Sequence, residues 1–204
     1  MFQNITPITK NIIILNVIVF ILAMLIPQSY QYLAAFFPTS PYFKSWQIIT
    51  HMFMHGGFMH IAFNMLTFAS FGPVLERFLG EKKFVILYFL SGLGAFVLFN
   101  LWEYYQLHQD AQPLIVEGLQ FSDILKGDFG KFPVRLEGNA QNIVNILSTP
   151  MVGASGAIFG VIAAFSLLYP NAEMFIMFIP FPIKAKVLFP IVIVGSIYLG
   201  LQRS

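Results

Sequence analysis

Long apolar stretches, separated by short charged segments, dominate the chain. A bilayer core about 30 Å thick needs roughly 20 mostly apolar residues per helix, with a lower limit near 17. By that rule, five stretches between charges are candidate membrane spans. They are residues 8–26, 58–75, 84–102, 151–169 and 187–201, of which the last is short. The pattern predicts an all-α fold, a polytopic transmembrane helix bundle that forms a single domain over residues 1–204.

Two longer connections separate these spans. Residues 28–57 are rich in aromatic residues and interrupted by prolines, a composition typical of the lipid headgroup region, and we predict an interfacial loop there. Residues 103–149 carry charges of both signs, which predicts a polar loop outside the lipid. At the end of that loop, Ser148 and Thr149 are candidate N-caps for a fourth span that begins near Met151.

The composition excludes an ordinary soluble domain. Hydrophobic residues make up 57% of the chain and charged residues only 10%, against about 25% charged in soluble proteins. The absence of cysteine excludes a disulfide-stapled module and a cysteine-based metal site. The 11 basic and 9 acidic residues form no dense basic run, so we expect no nucleic-acid partner.

The distribution of cations predicts the orientation. Six basic residues flank the starts of odd-numbered spans and the ends of even-numbered ones, whereas the other side carries Lys44 and Arg203 once the long loop is discounted. The six are Lys10, Arg77, Lys82, Lys83, Lys184 and Lys186. Because cytoplasmic loops carry the excess of Lys and Arg, we expect a cytoplasmic N-terminus.

Three of the four histidines lie close together, at His51, His55 and His60, and Asn64 follows. If the second span is helical from about Phe58, His60 and Asn64 stack on one helix face, one turn apart. Polar side chains inside a membrane helix are costly unless they face a cavity or a partner, so this pair is a candidate functional site. A plain hydrogen-bonded pair between helices is the alternative.

A metal site is an alternative interpretation of the same histidines. His51 and His55 have the i, i+4 spacing of two ligands on a helix, and imidazole is the commonest protein ligand. However, no acidic ligand is adjacent, and the His-Glu-x-x-His pattern is absent. We therefore expect no metal and no other cofactor.

A second group of residues opens the fourth span, where Ser155 stands between Gly153 and Gly156. A helix N-terminus carries partial positive charge and unpaired N–H groups, which would stabilise a nucleophilic oxygen and an oxyanion. The flanking glycines would leave room for a substrate backbone. Alternatively, Gly156 and Gly160 form Gly-x-x-x-Gly, a helix-packing motif.

Taken together, the two groups give the chain a resemblance to the rhomboid family of intramembrane serine proteases. The resemblance covers nearly the whole chain. It includes the aromatic first loop, the His60-x-x-x-Asn64 face and the turn from Glu76-Arg77 to Gly80, and it ends with Gly-x-Ser-Gly at the start of the fourth span.

The resemblance implies roles for the motif residues. Ser155 would be the nucleophile, and His60 and Asn64 would donate to the oxyanion. His51 and His55 would have structural or hydrogen-bonding roles. The family also implies transmembrane proteins as substrates, a bundle of six spans, and a location in the bacterial inner membrane for a protein of the bacterial type.

Two departures from the family pattern stand out. Rhomboids usually have Trp-Arg in the first loop, where this chain has Trp46-Gln47, so the ion pair of that arginine is in question. In the family, a histidine on the sixth span is the general base, but no histidine follows His108 here. We therefore expect a rhomboid-like fragment with five of six spans, whose general base is not in this chain.

Two other functions compete with a protease. A rhomboid-like pseudoprotease would bind transmembrane helices without cutting them, and the missing base fits it, although a mere binder has no chemical need for Ser155, His60 and Asn64 together. A channel or transporter would need charges along a path, and the spans contain none. The sequence indicates neither the substrate nor the oligomeric state.

Overall fold

The structure, a computed structural model, describes residues 5–127, 138–174, 182–187, 189–191 and 193–194. Helices account for nearly all of its regular structure. They are α1 (Pro7–Leu25), α2 (Ser29–Leu33), α3 (Gln47–Thr50), a 3₁₀ helix (His51–Phe53), α4 (Phe58–Leu79), α5 (Glu81–Val116), α6 (Phe121–Ile124), α7 (Asn139–Ser148) and α8 (Ser155–Leu168). Two short strands, β1 (Glu173–Met174) and β2 (Ile183–Lys184), pair antiparallel. The predicted all-α membrane bundle is confirmed.

Three of these helices, α1, α4 and α5, are long and apolar enough to cross a membrane. They contain most of the first predicted span and all of the second and third. Helix α8, which corresponds to the fourth predicted span, is apolar but shorter, with 14 residues. The predicted fifth span, 187–201, lies mostly outside the described residues.

The long connection between α5 and α8 differs from the predicted loop, because much of it is helical. Helix α5 continues to Val116, and its buried Leu107, Ala111 and Leu114 recur at helical spacing. They pack against buried residues of α7, among them Ile143 and Leu147, in a second hydrophobic core. Asp110 and several uncharged polar residues separate these positions, and Glu103 and Glu117 flank them, so the segment is polar on average although one face is apolar.

The predicted start of the fourth span is also wrong. Ser148 is the last residue of α7, and Thr149 is its C-cap, so neither caps the following helix. Met151 exchanges two backbone hydrogen bonds with Ala35, at 2.8 and 3.0 Å, in an isolated bridge. This extended pairing holds the chain out of the helical conformation, and α8 begins only at Ser155.

Two glycines allow α8 to pack directly on α5. A β carbon at Gly156 would overlap the side chain of Ala95, and one at Gly160 would overlap Ser91. The Gly-x-x-x-Gly motif therefore has the packing role that was considered for it. This close contact fixes the height of Ser155 relative to the middle of α5.

Helix α1 is fastened to α4 through Glu76. Its carboxylate accepts hydrogen bonds from the N–H groups of Ile8 (2.9 Å) and Thr9 (2.8 Å), and from the hydroxyls of Thr6 and Thr9. The first N–H groups of a helix have no acceptor within the helix, and the helix N-terminus attracts negative charge. Glu76 thus caps α1 from another helix, and it is itself buried.

Candidate active site

Ser155 stands at the N-terminus of α8, directly after a break in the backbone. Gly153 has a φ of 118°, a conformation that L side chains rarely adopt, and it turns the extended segment into the helix. The first helical hydrogen bond runs from the Ile158 N–H to the Ala154 carbonyl, at 2.9 Å. The N–H groups of the first turn, including that of Ser155, have no acceptor within α8 and can serve an anionic ligand.

The imidazole of His60 shares the space beside Gly153 with the serine. The point where a Gly153 side chain would begin lies 2.8 Å from His60 Nε2 and 3.5 Å from Ser155 Oγ. Both residues are half-buried. Residues from α4 and α8, separated by almost a hundred positions in the sequence, thus meet beside Gly153, where the absence of a side chain gives the imidazole the space that it occupies.

Asn64 follows His60 by one turn of α4. Its side chain is 8% exposed, and its Nδ2 is buried without a hydrogen-bond partner among the described residues. Buried amide donors are nearly always paired, so this unpaired one, a helical turn from His60, is available to a bound ligand. With His60 it offers two donors from one helix face.

His55 contacts His60 and lies outside the membrane-spanning helices, before the start of α4. The two rings are in edge-to-face contact, with centroids 5.0 Å apart. Burial, together with the charge of His60, lowers the pKa of His55 to about 4. His55 is therefore neutral near pH 7, and its Nδ1 lies 3.3 Å from the Phe53 carbonyl oxygen.

His51 supports the backbone next to the serine. Its carbonyl accepts a hydrogen bond from the Gly153 N–H at 2.9 Å, and its Nδ1 lies 2.8 Å from the carbonyl oxygen of Gln47. The ring packs on Phe96 of α5, with centroids 5.6 Å apart. Burial lowers the pKa of His51. His51 thus links the first loop, α5 and the segment that carries Gly153.

Gln47 fills the position where the sequence departs from the family pattern. The side chain is fully buried. Its Oε1 accepts from the Lys44 N–H (3.0 Å) and more weakly from that of Phe36, while Nε2 donates to the carbonyls of Gln31 (3.0 Å) and Tyr42 (3.1 Å). A neutral carboxamide therefore holds the first loop together without an ion pair. Sequence reasoning missed this role because the partners are backbone groups.

The other predicted features are less closely connected to this space. His108, the fourth histidine, lies exposed on α5, where it contacts Gln112 and Phe121. Within the described part of the chain, no group of three or more His, Cys, Asp or Glu side chains could hold a metal ion. Glu76 and Gln47 are polar residues that sequence analysis named only in the family comparison, and their buried side chains hold the surrounding elements in place.

Comparison with known proteins agrees with the motifs. The sequence profile of the Rhomboid domain matches residues 42–204. The chain is 31% identical over 142 residues to the mitochondrial Rhomboid protein 1 of Saccharomyces cerevisiae, covering 70% of this chain and 30% of the relative. It is 33% identical over 93 residues to the rhomboid protease GlpG of Klebsiella pneumoniae, covering 45% and 34%.

A third relative, the rhomboid protease AarA of Providencia stuartii, is 29% identical over 124 residues, which cover 61% of this chain and 34% of the relative. The matched stretch thus spans about a third of each of these three relatives.

Proposed function

Because this chain belongs to the rhomboid family, we propose that it is an intramembrane serine endopeptidase that cleaves transmembrane helices of other membrane proteins. The observation that supports this most directly is that His60 Nε2 and Ser155 Oγ both lie close to the point where a Gly153 side chain would begin. A nucleophile with a hydrogen-bond donor beside it is an arrangement that acyl transfer requires. GlpG and AarA are both named rhomboid proteases.

In the proposed reaction, Ser155 Oγ attacks the carbonyl carbon of the scissile peptide bond. The resulting oxyanion accepts hydrogen bonds from His60, from Asn64 Nδ2 and from the Ser155 backbone N–H. Fixed donors in a partly dehydrated site are worth about 2.7–4 kcal/mol each to the transition state. The unpaired Nδ2 of Asn64 supports this assignment, because a ligand oxygen would satisfy it.

The serine needs a general base, since an unassisted hydroxyl is a weak nucleophile at neutral pH. The base must come within about 2.6–3.2 Å of Oγ. His60 is better suited to donation, because it stands on the same helix face as Asn64. We assign the base to a histidine on a further helix, as in the family that the chain belongs to.

The substrate helix must unwind locally before it is cut, because a helical peptide bond is shielded and its carbonyl is hydrogen-bonded. We therefore expect small or helix-breaking residues near the cleavage site. We place the chain in a bacterial inner membrane with its N-terminus in the cytoplasm. Ser155 would then cut the substrate near the outer face of that membrane.

A non-catalytic binder of transmembrane helices is the second candidate. One observation favours it: none of the four histidines of the chain is assigned as the general base. His60 stands beside Ser155 as a donor, and His108 contacts other residues. Such a protein would use the same space to hold a helix without cutting it.

Cleavage in a lipid bilayer separates these candidates. The complete protein, reconstituted with a single-span substrate that carries glycine near its outer end, should cut it, and Ser155→Ala should abolish the cut. Ser70→Ala, which removes an exposed serine of α4, is the matched control and should cut normally. Cleavage that survives in Ser155→Ala would remove this serine from the nucleophile role. Substrate binding without cleavage by the unmodified protein would favour the binder.

A further inference from the structure

A groove with a volume of about 800 Å³ lies between the end of α5 and α7. We call it the α5–α7 groove. The proposed reaction uses none of its polar side chains. Most of its lining residues lie within residues 103–149, the predicted polar loop.

Side-chain amides line both walls of the α5–α7 groove. Gln106 and Gln109 contribute from α5, and Asn142 and Asn145 from α7. Each amide carries two donors and an acceptor, so together they can pair with the N–H and C=O groups of an extended polypeptide. A polar cleft of this kind suits a peptide segment outside the hydrocarbon better than an apolar helix face.

The groove also carries negative charge. Glu103 and Asp110 both line it, seven residues apart and therefore on the same side of α5. Glu103 Oε2 is buried and has no hydrogen-bond partner among the described residues, and Asp110 accepts one bond of 3.4 Å from Asn142. No Lys or Arg occurs among the described residues that line the groove. A positively charged ligand would supply the missing partner.

One end of the groove leads to the candidate active site. Met151 and Val152 line this end, and the chain continues from them to Gly153 and Ser155. The Val152 side chain and His60 Nδ1 each lie 4.0 Å from the point where a Gly56 side chain would begin. The groove therefore ends within three residues of Ser155 along the chain.

We propose that the α5–α7 groove binds the juxtamembrane segment of the substrate, an extended stretch of polypeptide that carries Lys or Arg. This inference rests on the proposed function for its setting, because it assumes a substrate that passes Ser155. Trp102 and Tyr105 also line the groove. Such aromatic residues mark the membrane interface, the level at which a substrate chain leaves the lipid. The groove would then select substrates by the charge next to their cleaved helix.

Binding can be tested without cleavage. The complete protein carrying Ser155→Ala, in detergent, is titrated against two labelled synthetic peptides that differ only in Lys or Gln at the charged positions. Fluorescence anisotropy should show preference for the Lys peptide. Adding Glu103→Gln and Asp110→Asn should weaken binding of the Lys peptide about tenfold, the size expected for two partly exposed charge pairs. Binding of the Gln peptide should stay unchanged.

Glu117→Gln with Asp123→Asn is the control, since it removes two charges from nearby residues that do not line the groove. It should leave the preference for Lys intact. Replacing Glu103 and Asp110 by Lys should reverse the preference toward a peptide with Glu at the same positions.

Equal binding of the Lys and Gln peptides by the parent protein would overturn the proposal, and so would equal Lys-peptide affinity of the parent and the neutral variant. A charge effect on retention of phosphatidylethanolamine in native mass spectrometry, with no effect on either peptide, would identify a lipid amine instead and would also overturn it. Because no step requires hydrolysis, the result is independent of whether the chain proves to be a protease.

Discussion

The imidazole of His60 lies against the backbone of Gly153, so that a β carbon at position 153 would be 2.8 Å from Nε2. The same carbon would lie 3.5 Å from the Ser155 hydroxyl oxygen. The missing side chain therefore gives the imidazole the space to lie beside the serine, where a substrate carbonyl is proposed to bind.

Gly153→Ala should close this space. The new methyl group would collide with His60, and the positive φ would add strain of about 1–3 kcal/mol. We expect labelling of the protein by a fluorophosphonate probe to fall at least about tenfold, which corresponds to about 1.4 kcal/mol in the barrier. Gly94→Ala is the control, because a β carbon there meets no atom within 4 Å. Normal labelling of Gly153→Ala would show that the space is not used.

Replacing Glu76 should loosen the N-terminus of α1. In Glu76→Gln, an NH₂ group would face N–H and hydroxyl donors, and the charge at the start of the helix would be lost. We expect a loss of about 1.5–3 kcal/mol in the free energy of unfolding, the range for hydrogen bonds to a charged group. Thermal unfolding in detergent measures it. Glu81→Gln, at an exposed acid in the first turn of α5, should have little effect; equal losses in both variants would contradict the capping role.

Gln47 gives a sharper test, because its two ends have different partners. Gln47→Glu keeps the acceptor for the Lys44 N–H but turns a donor into an oxygen that faces the carbonyls of Gln31 and Tyr42. We expect a loss of about 2–4 kcal/mol from the buried, unpaired groups. Limited proteolysis of residues 28–57 should be faster in Gln47→Glu than in the unmodified protein.

The control for Gln47 is Gln28→Ala, at an exposed position of the same loop. If residues 28–57 resisted proteolysis in both variants as well as in the unmodified protein, the carboxamide of Gln47 would not hold the loop.

Acid should destabilise the protein through His55. Its pKa is about 4 in the folded protein, because of burial and the charge of His60, against an ordinary value of 6.5. Between these values the unfolded chain binds a proton that the folded chain does not, so the stabilisation is complete above pH 6.5 and declines as the pH falls toward 4. Unfolding by denaturant across this range should show the decline.

His55→Asn should flatten that decline, whereas His108→Asn, at an exposed histidine, should leave it in place. If the curves of His55→Asn and the unmodified protein ran parallel from pH 7 to pH 4, the titration of His55 would not be the cause.

The sequence was most informative where all the residues of a pattern lie in one helix. The apolar lengths predicted α1 and α4 closely, and the spacing of His60 and Asn64 predicted their common helix face. The start of α8 was misplaced because the bridge between Met151 and Ala35 joins segments more than a hundred residues apart. No local pattern of apolar residues encodes such a pairing.

The same limit applies to the buried polar contacts. Glu76 lies near the end of a predicted span, where a charged residue is expected to face water, yet its partners are the backbone and hydroxyls of α1. Gln47 looks like an ordinary polar loop residue, because its partners are main-chain groups that any sequence provides. Such residues become recognisable only when the helices that surround them are in place.

Ser155 is proposed to be the nucleophile, with His60 beside it as a donor to the oxyanion. Mass spectrometry of the complete, membrane-reconstituted protein after reaction with a fluorophosphonate tests it directly, because it identifies the modified residue. We expect an adduct on Ser155, absent after Ser155→Ala and unchanged after Ser70→Ala. An adduct on another residue, or labelling that persists in Ser155→Ala, would contradict it.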